Sequence, residues 1–467
     1  MDLDRLVAGP ASAPVAVVGA RRCDLLWDVL THAWTTLGLD DAVGGDEAFK
    51  QMALARLVEP TSKADTVRVI ASLGIPPVAL RTLFRSLARC AQRDWCTSIQ
   101  AALHARVAAH GDLSLLMCDV TTLYFEAEKE DDLRRVGFSK ERRVDPQITV
   151  GMLVDRTGFP LQVGCWEGNH AETKTIVPMV KQFLDAHGVS AGDLVVVVAD
   201  AGILSYTNLT ALDEAGCSFV VGSKTTKASY DLAEHTHFHG NAYSDGDLIE
   251  TTTPRKGVKH AKDGAPKVKN RPAWDPEADP TSWRVVWHYS AKWFARDNAT
   301  LTAQENKARA VIDGDASSRR PRFVTGSRGD LALDEAALAR ARAGAGLKGY
   351  VTNMTAPRMG AGEVVASYRS LWHVEQSWRM PKHDLRARPV FHHQRDSIEA
   401  HLTTVMAALA VARHLQDTTG MSIKRIIHAL QPLQSVEVTI AGHTITAQPQ
   451  ITAEAADIIT AVQLPGH

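Results

Sequence analysis

Cysteine is scarce in this sequence, and the cysteines it has are far apart. Only six occur in 467 residues, and none of them forms a Cys-x-x-Cys pair. This scatter argues against a zinc ribbon or a disulfide framework and is typical of reduced thiols in the cytosol.

Long apolar runs and an excess of charge are also missing. No uninterrupted apolar run reaches the roughly 18 residues that suggest a membrane-spanning helix, and the chain opens Met1-Asp-Leu-Asp, which is acidic where a targeting segment is basic. The formal net charge is −1, so any surface for nucleic acid has to be local. We therefore expect a soluble cytoplasmic protein without membrane contact, associated with the nucleoid if it binds DNA. The length predicts about three domains.

Residues 1–110 carry apolar residues at helical spacing between short breaks. The predicted helices are Asp24–Leu37, Lys50–Leu57, Ser62–Leu73, Val78–Cys90 and Trp95–His110. Short helices joined by tight breaks are typical of helix-turn-helix DNA-binding units, although most small helical bundles do not bind DNA. We predict a helical N-terminal DNA-binding domain over 1–110, with a purely structural bundle as the alternative.

Two acids occur in apolar strand patterns. Leu194–Ala199 is a continuous apolar run that predicts a strand buried on both faces, and Asp200 follows it, where open α/β sheets place their ligands. Asp119 lies inside the predicted strand Leu113–Phe125, where a carboxylate is costly unless it is paired or binds a metal. The alternatives are a capping role for Asp200 and a buried salt bridge for Asp119.

The order of elements over 111–222 predicts how these acids meet. It is strand, strand, strand, helix, strand, helix, strand, which is typical of a ribonuclease H-like core. The remaining predicted elements are Gln147–Val154, Leu161–Trp166, Thr175–His187, Ser205–Ala215 and Cys217–Gly222. In such a core the first and fourth strands are neighbours, so Asp119 and Asp200 would lie together and form a site for a hard metal ion.

Residues 223–347 are polar and irregular, and their strand patches Leu248–Thr253 and Trp283–Phe294 predict a mostly β insertion. The run 255–271 has seven Lys or Arg residues against one acid. We expect its members Arg255, Lys256 and Lys259 to contact phosphates, with a solvated loop as the alternative. We expect Trp287 to stack on an unpaired base, with packing in the core as the alternative.

Residues 348–395 hold a third acid. A predicted helix over Glu363–Met380 would align Tyr368, Leu371, Glu375 and Lys382 on one face. Taken alone, Glu375 could simply form an ion pair with the arginine one turn later. The remaining 396–467 are predicted to form a C-terminal helical region with a small hairpin over Val436–Thr446.

Motifs along nearly the whole chain resemble those of a known family. They are Glu59-Pro-Thr-Ser-Lys, Cys118-Asp-Val-Thr-Thr-Leu-Tyr, Gly137-Phe-Ser-Lys with Asp145-Pro-Gln, Gly158-Phe-Pro-Leu with Gly168-Asn, Val198-Ala-Asp-Ala-Gly, Thr352-Asn and Arg388-Pro-Val-Phe-His. Together they resemble bacterial insertion-sequence transposases of the DDE class that carry a Tyr-x2-Arg-x3-Glu-x6-Lys signature.

The resemblance implies a function and a site. It implies a ribonuclease H-like fold with a β insertion, a catalytic and metal-binding triad of Asp119, Asp200 and Glu375, and two Mg²⁺ or Mn²⁺ ions. The implied partners are double-stranded DNA, as terminal inverted repeats and target, and a second copy of the chain when two ends are synapsed. Tyr368 and Lys382 match the signature residues that hold DNA.

The chain departs from the signature at two positions. Leu371 stands where the signature has arginine. Arg369 and Arg379 are the two candidates to take over that phosphate contact, and we expect Arg379, which lies on the face of Glu375, to do so. Pro381 is expected to end the helix just before Lys382. Two other functions therefore stay open: a structure-selective DNA nuclease or resolvase with the same core, and a transposase-derived DNA-binding protein without catalysis.

Overall fold

The structure is a computed structural model. It describes residues 17–110, 113–125, 129–137, 145–171, 174–188, 196–200, 205–240, 242–255, 274–316, 321–327, 330–381, 394–440 and 443–466, together with Leu385, Val390 and His392.

The elements alternate between helices and strands along most of the chain. The strands are β1 Val17–Arg22, β2 Leu115–Tyr124, β3 Gln147–Val154, β4 Pro160–Glu167, β5 Val196–Ala199, β6 Ser218–Ser223, β7 Leu248–Pro254, β8 Ser282–Tyr289, β9 Val324–Ser327, β10 Asp330–Leu333, β11 Leu347–Thr352, β12 Ser435–Ile440 and β13 His443–Ala447. The helices are α1 Asp24–Thr36, α2 Leu39–Ala42, α3 Glu47–Val58, α4 Lys63–Ser72, α5 Leu80–Gln92, α6 Trp95–His110, α7 Ile176–His187, α8 Tyr206–Glu214, α9 Ala228–Asp231, α10 Ala233–His239, α11 Ala291–Ile312, α12 Glu335–Ala343, α13 Ala361–Arg369, α14 Trp372–Arg379, α15 Arg395–Thr419, α16 Ile423–Leu430 and α17 Ala453–Val462. None of the helices described is long and apolar enough to cross a membrane.

A mixed eight-stranded sheet forms the centre of the molecule. Its order is β4-β3-β2-β5-β6-β11-β8-β7, in which β2, β5 and β6 run parallel and the other neighbours run antiparallel. Every residue of β5 is buried, as expected for a continuous apolar run in the middle of a sheet. The predicted pairing of the first and fourth core strands is therefore confirmed.

The predicted N-terminal helices are confirmed, and they share one hydrophobic core with the rest of the molecule. The long helix α15 packs against α1, α3, α5 and α6 as well as against β4. Most of its residues are buried from Ile398 to Leu415, because apolar residues occur on all its faces. The helical region over 1–110 is thus built around a helix from the C-terminal part of the chain.

The mostly helical N-terminal region also contains a strand that the sequence pattern does not predict, at Val17–Arg22. This segment forms β1, which pairs antiparallel with β12 and makes a three-stranded sheet with the C-terminal hairpin. The residues of β1 are exposed, so no apolar alternation predicts a strand there. Its hydrogen-bonding partner lies more than 400 residues away in the sequence.

The prediction of a mostly β insertion over 223–347 is wrong for the residues that the structure describes there. Residues 223–347 contain the long helix α11, and the predicted strand Trp283–Phe294 ends at Tyr289, where a helix soon follows. The strands β7 and β8 extend the central sheet through β11. A second, smaller hydrophobic cluster joins α11 and α12 to the hairpin β9–β10; its members include Leu301, Phe323 and Leu338.

Candidate active site at the ends of the central strands

The backbone register of two parallel strands places two acids beside each other. The registered pairs of β2 and β5 run from Leu115 and Val196 to Cys118 and Ala199. Asp119 and Asp200 are the next residues on their strands. The two acids therefore follow the last registered pair of these strands at the same level of the sheet.

The two aspartates differ in their surroundings. Asp119 is half-buried, and its Oδ1 accepts a hydrogen bond from the N–H of Val120 at 2.8 Å. Asp200 is exposed at the end of β5. One carboxylate is therefore held within a strand, and the other faces solvent where a ligand can approach.

Tyr368 connects Asp200 to the helix that follows β11. Its hydroxyl donates to Asp200 Oδ1 at 2.9 Å, and its ring packs against Tyr350 with centroids 4.7 Å apart. The pKa of Tyr368 is raised, first by burial and then by the charge of Asp200, with a smaller contribution from Glu375. The neutral hydroxyl is thus kept as a hydrogen-bond donor, and it lies within the field of two of the predicted acids.

A glycine on β6 makes room for this tyrosine. A Cβ built on Gly222 would lie 2.6 Å from the hydroxyl oxygen of Tyr368, which is too close for any side chain. The absence of a side chain at Gly222 therefore lets the hydroxyl reach Asp200. Sequence reasoning missed this residue, because a glycine in an apolar strand gives no sign of what approaches it.

Glu375 lies in the first turn of α14, and its side chain is exposed. The helix α14 packs against β2, the strand of Asp119. The single predicted helix Glu363–Met380 is wrong, because it is broken between Arg369 and Trp372. The break also removes the predicted common face: Leu371 is 8% exposed, whereas Glu375 faces solvent.

The β3–β4 turn anchors α14 on its other side. Ser377 Oγ donates to the carbonyl of Gly158 at 2.6 Å, and Arg413 of α15 donates to the carbonyl of Thr157 and to Gln376 Oε1, the latter at 3.4 Å. Gly158 has φ +87°, a conformation that favours glycine. These buried bonds hold the helix of Glu375, and its sequence pattern did not reveal them.

The predicted DNA contacts fall into different environments. Arg379 is exposed in the last turn of α14. Arg255 is held by protein groups: its guanidinium lies 3.6 Å from the ring of Trp283 and forms an ion pair with Asp213 at 3.5 Å. The predictions for Lys256, Lys259 and Lys382 lie outside the described residues.

The predicted stacking role of Trp287 is contradicted by its position. The side chain is fully buried in β8, and its ring packs over Gly349 of the neighbouring strand. No ring face is open to a base, so the alternative of core packing describes this residue.

The donors that the site offers are carboxylate oxygens, which suit Mg²⁺ or Mn²⁺ rather than zinc. Asp119 and Asp200 fit such an ion by position, as neighbours on adjacent strands at the point where β5 ends. Within the described part of the chain, no three His, Cys, Asp or Glu side chains are grouped closely enough to hold a metal. Glu375 acts on Tyr368, which bonds to Asp200, and its helix α14 packs against β2, the strand of Asp119. It does not form one ligand cluster with the two aspartates in the described part of the chain.

Sequence and structure comparisons give one strong and one weak similarity. The family model described as transposase DDE domain matches residues 111–411. A solved structure, the piggyBac transposase synaptic complex with hairpin DNA, is 9% identical, with a TM-score of 0.43 over 87% of this chain and 77% of that chain. That likeness is too distant to support a conclusion about this chain. No curated protein is significantly similar in sequence.

Proposed function

Because this chain belongs to the family of transposase DDE domains and is a DNA transposase, we propose that it cuts DNA at transposon ends and joins them to target DNA. The proposed catalytic and metal-binding residues are Asp119, Asp200 and Glu375. The observation that carries the proposal is the β2–β5 register, which puts two of these acids next to each other directly after the last paired residues.

The order of the central strands supports a ribonuclease H-like core. The strands lie in the spatial order β4-β3-β2-β5-β6. This order, a meander followed by two parallel crossovers, is the one predicted for that core. We assign this core to 111–222 and 348–395, interrupted by 223–347. The remaining assignments are a helical N-terminal DNA-binding domain over 1–110 and a C-terminal region over 396–467.

The proposed chemistry is an in-line displacement at a phosphodiester. Two divalent ions, Mg²⁺ or Mn²⁺, would supply an activated water and stabilise the leaving 3′ oxygen when bound. The aspartates would hold them, and Tyr368 would keep Asp200 oriented through its hydrogen bond. The exposed guanidinium of Arg379, one turn from Glu375, would hold a phosphate in place of the arginine that Leu371 replaces.

The proposed partner is double-stranded DNA, first as the terminal inverted repeats and then as the target. Joining two ends requires them to be held together, so we propose a homodimer on DNA. The formal net charge of −1 means that the DNA-binding surfaces are local patches of the chain.

Cleavage of DNA that carries the element's own terminal repeats tests the proposal. Purified protein with Mg²⁺ should nick such ends, and Asp119→Asn should abolish nicking while end binding persists. The matched control is Asp185→Asn, because Asp185 is an exposed acid of α7; this variant should cleave as the wild type does. Unchanged nicking by Asp119→Asn would exclude the proposed triad.

Two other outcomes would point to the alternative functions. A preference for four-way junctions over linear repeat ends would favour a nuclease or resolvase. End binding without any metal-dependent cleavage would favour a DNA-binding protein that has lost catalysis.

A further inference from the structure

Two exposed cations next to the candidate site share one aromatic support. Lys348 on β11 places its Nζ 4.1 Å from the ring centroid of Trp293, and Arg369 Nη2 lies 3.3 Å from His288 Nε2. The rings of His288 and Trp293 meet edge to face, with centroids 5.2 Å apart. Aromatic contacts of this kind hold cationic side chains in place while their charges still face solvent.

These cations are close to further charges. The pKa of Lys348 is lowered by burial and then by Arg296, with Arg369 acting in the same direction, whereas Asp297 and Asp200 act in the opposite one. Lys348 is therefore near enough to interact with Asp200 on one side and with Arg296 on the other. Like charges gathered in this way repel each other until an anion binds between them.

Arg296 also lines a cavity of about 910 Å³ between α11, α12 and the turn after β6. The other cations in its lining are Lys227, Arg322 and Arg340, against one acid, Asp297. That acid already forms an ion pair with Arg296 at 3.8 Å and accepts a hydrogen bond from the N–H of Gly346 at 3.2 Å. The cavity is thus strongly cationic in a protein whose formal net charge is −1.

Lys227 and Arg322 are both held at the cavity wall. The Nζ of Lys227 lies 4.0 Å from the ring centroid of Tyr206; it is buried and has no hydrogen-bond partner among the described residues. The guanidinium of Arg322 lies 4.6 Å from the ring of Phe323, and its Nη1 donates to Gln304 at 3.1 Å. The charge of Asp231 acts on Lys227, but Nζ donates no hydrogen bond to it, so a bound anion would supply the missing acceptor.

We propose that these groups form a strand track, defined as Lys348, Arg369, Arg296, Lys227, Arg322 and Arg340, which binds the phosphodiester backbone of one DNA strand beside Asp200. Arg296 joins the two parts, since it lies one helical turn after Trp293 on α11 and also lines the cavity. The cavity has the volume of a ligand pocket, and the occupant that we propose for it is a few nucleotides of a single strand. This inference rests on the proposed function, because it supplies the strand that the acids would cut.

The strand track is separate from the predicted signature contacts. Its residues lie on β11, α11, α12 and the end of α13, in the turn after β6 and just before β9, whereas Arg379 lies in α14. Arg369, the last residue of α13, lies two residues before Leu371. Because the helix is broken after Arg369, its side chain does not have the orientation that a continuous helix would give it relative to α14. The track therefore brings four of its six cations, Lys227, Arg296, Arg322 and Arg340, from the inserted region 223–347.

Salt-dependent binding to two DNA ends tests the strand track. All proteins carry Asp119→Asn, so that they bind DNA without cutting it. Two DNA substrates are compared: one has a blunt end, and the other has a single-stranded overhang of several nucleotides. The variant Arg322→Gln with Arg340→Gln should weaken binding of the overhang end about tenfold and leave blunt-end binding within about twofold. Each lost phosphate contact should reduce the slope of log affinity against log salt by about 0.7, the value for single strands.

A matched control separates local contacts from general charge. Lys307→Gln removes one positive charge from an exposed position of the same helix α11, outside the cavity lining, and should change neither DNA end. The midpoint of urea unfolding should be the same in all variants, because these side chains lie at the surface or the cavity wall.

Two results would overturn the inference. One is unchanged overhang binding and salt slope in the double variant. The other is an equal loss on both ends, or an equal loss in Lys307→Gln, which would indicate unspecific attraction. The affinity and its salt dependence are measured by binding alone. They therefore remain interpretable if the wild-type protein fails to cleave its ends and the proposed function is contradicted.

Discussion

Tyr368 donates a hydrogen bond that links the helix after β11 to Asp200. Tyr368→Phe keeps the ring against Tyr350 and removes only this bond. A hydrogen bond to a charged group contributes about 1.5–3 kcal/mol, so we expect end cleavage to slow by about 10- to 100-fold. Single-turnover cleavage at several Mg²⁺ concentrations measures the effect.

Thermal unfolding of the same variant serves as its control. The hydroxyl bonds to an exposed carboxylate, so the loss should appear in cleavage and little in stability. A cleavage rate equal to that of the wild type would show that Asp200 needs no support from Tyr368.

Asp231 is a buried acid that should make stability depend on pH. Burial raises its pKa from 3.8 to about 7, and the charge of Lys227 opposes this only in part. The folded state therefore binds a proton that the unfolded state releases at lower pH, and stability falls as pH rises from about 4 to 7. Asp231→Asn should remove this dependence.

Urea unfolding at pH 5 and pH 8 checks this prediction. Relative to Asp231→Asn, the wild-type protein should lose about 2–3 kcal/mol between the two values, at about 1.4 kcal/mol for each unit of pKa. Parallel pH curves for the two proteins would contradict a buried, neutral Asp231.

At the scale of elements, the position of α14 depends on the β3–β4 turn. Ser377→Ala removes the buried donor to the carbonyl of Gly158. An unsatisfied buried acceptor costs about 1–3 kcal/mol. We expect lower stability together with slower cleavage, since α14 carries Glu375. Ser72→Ala removes a similar serine-to-carbonyl bond in α4 and should leave cleavage unchanged.

The strands were more predictable than the helices near the site. A continuous apolar run, as in β5, is enough to predict a central strand, and the order of strands then predicts its neighbour β2. The helix α11 has few buried residues, so it lacks the apolar stripe that predicts a helix. The break before Trp372 contains neither glycine nor proline, and β1 depends on a partner at the other end of the chain.

The adjacency of the two aspartates could be predicted from the sequence, whereas the contacts around the predicted acids could not. Asp119 and Asp200 follow from strand patterns, and Glu375 from the resemblance. Gly222 and Ser377 act through atoms of Tyr368 and Gly158, which are distant in sequence and become neighbours only in the folded chain. The burial of Trp287 likewise depends on Gly349 of an adjacent strand.

At the scale of the whole molecule, two hydrophobic clusters of unequal size predict unequal local stability. The large one joins the central sheet to the N-terminal helices and α15, and the small one joins α11, α12 and β9–β10. Elements with few buried apolar contacts open at lower free energy. Amides of α11 and α12 should therefore exchange with deuterium before those of β2, β5 and β6.

Hydrogen exchange in low concentrations of urea measures this difference. The small cluster should show opening free energies well below that of the sheet, and α15 should exchange with the sheet rather than with α11. Equal protection throughout would mean that the molecule opens as a single unit.

The pairing of β2 with β5 also bears on how the protein gains activity as it folds. These strands are separated by a meander and a helix, so their contact forms only after a long loop closes. A slip of one residue would turn the side chains of β5 to the other face and separate the two carboxylates. A slipped chain could keep the helices and most of the sheet but would be inactive. The specific activity of refolded protein should therefore report the fraction of molecules that aligned these two strands correctly.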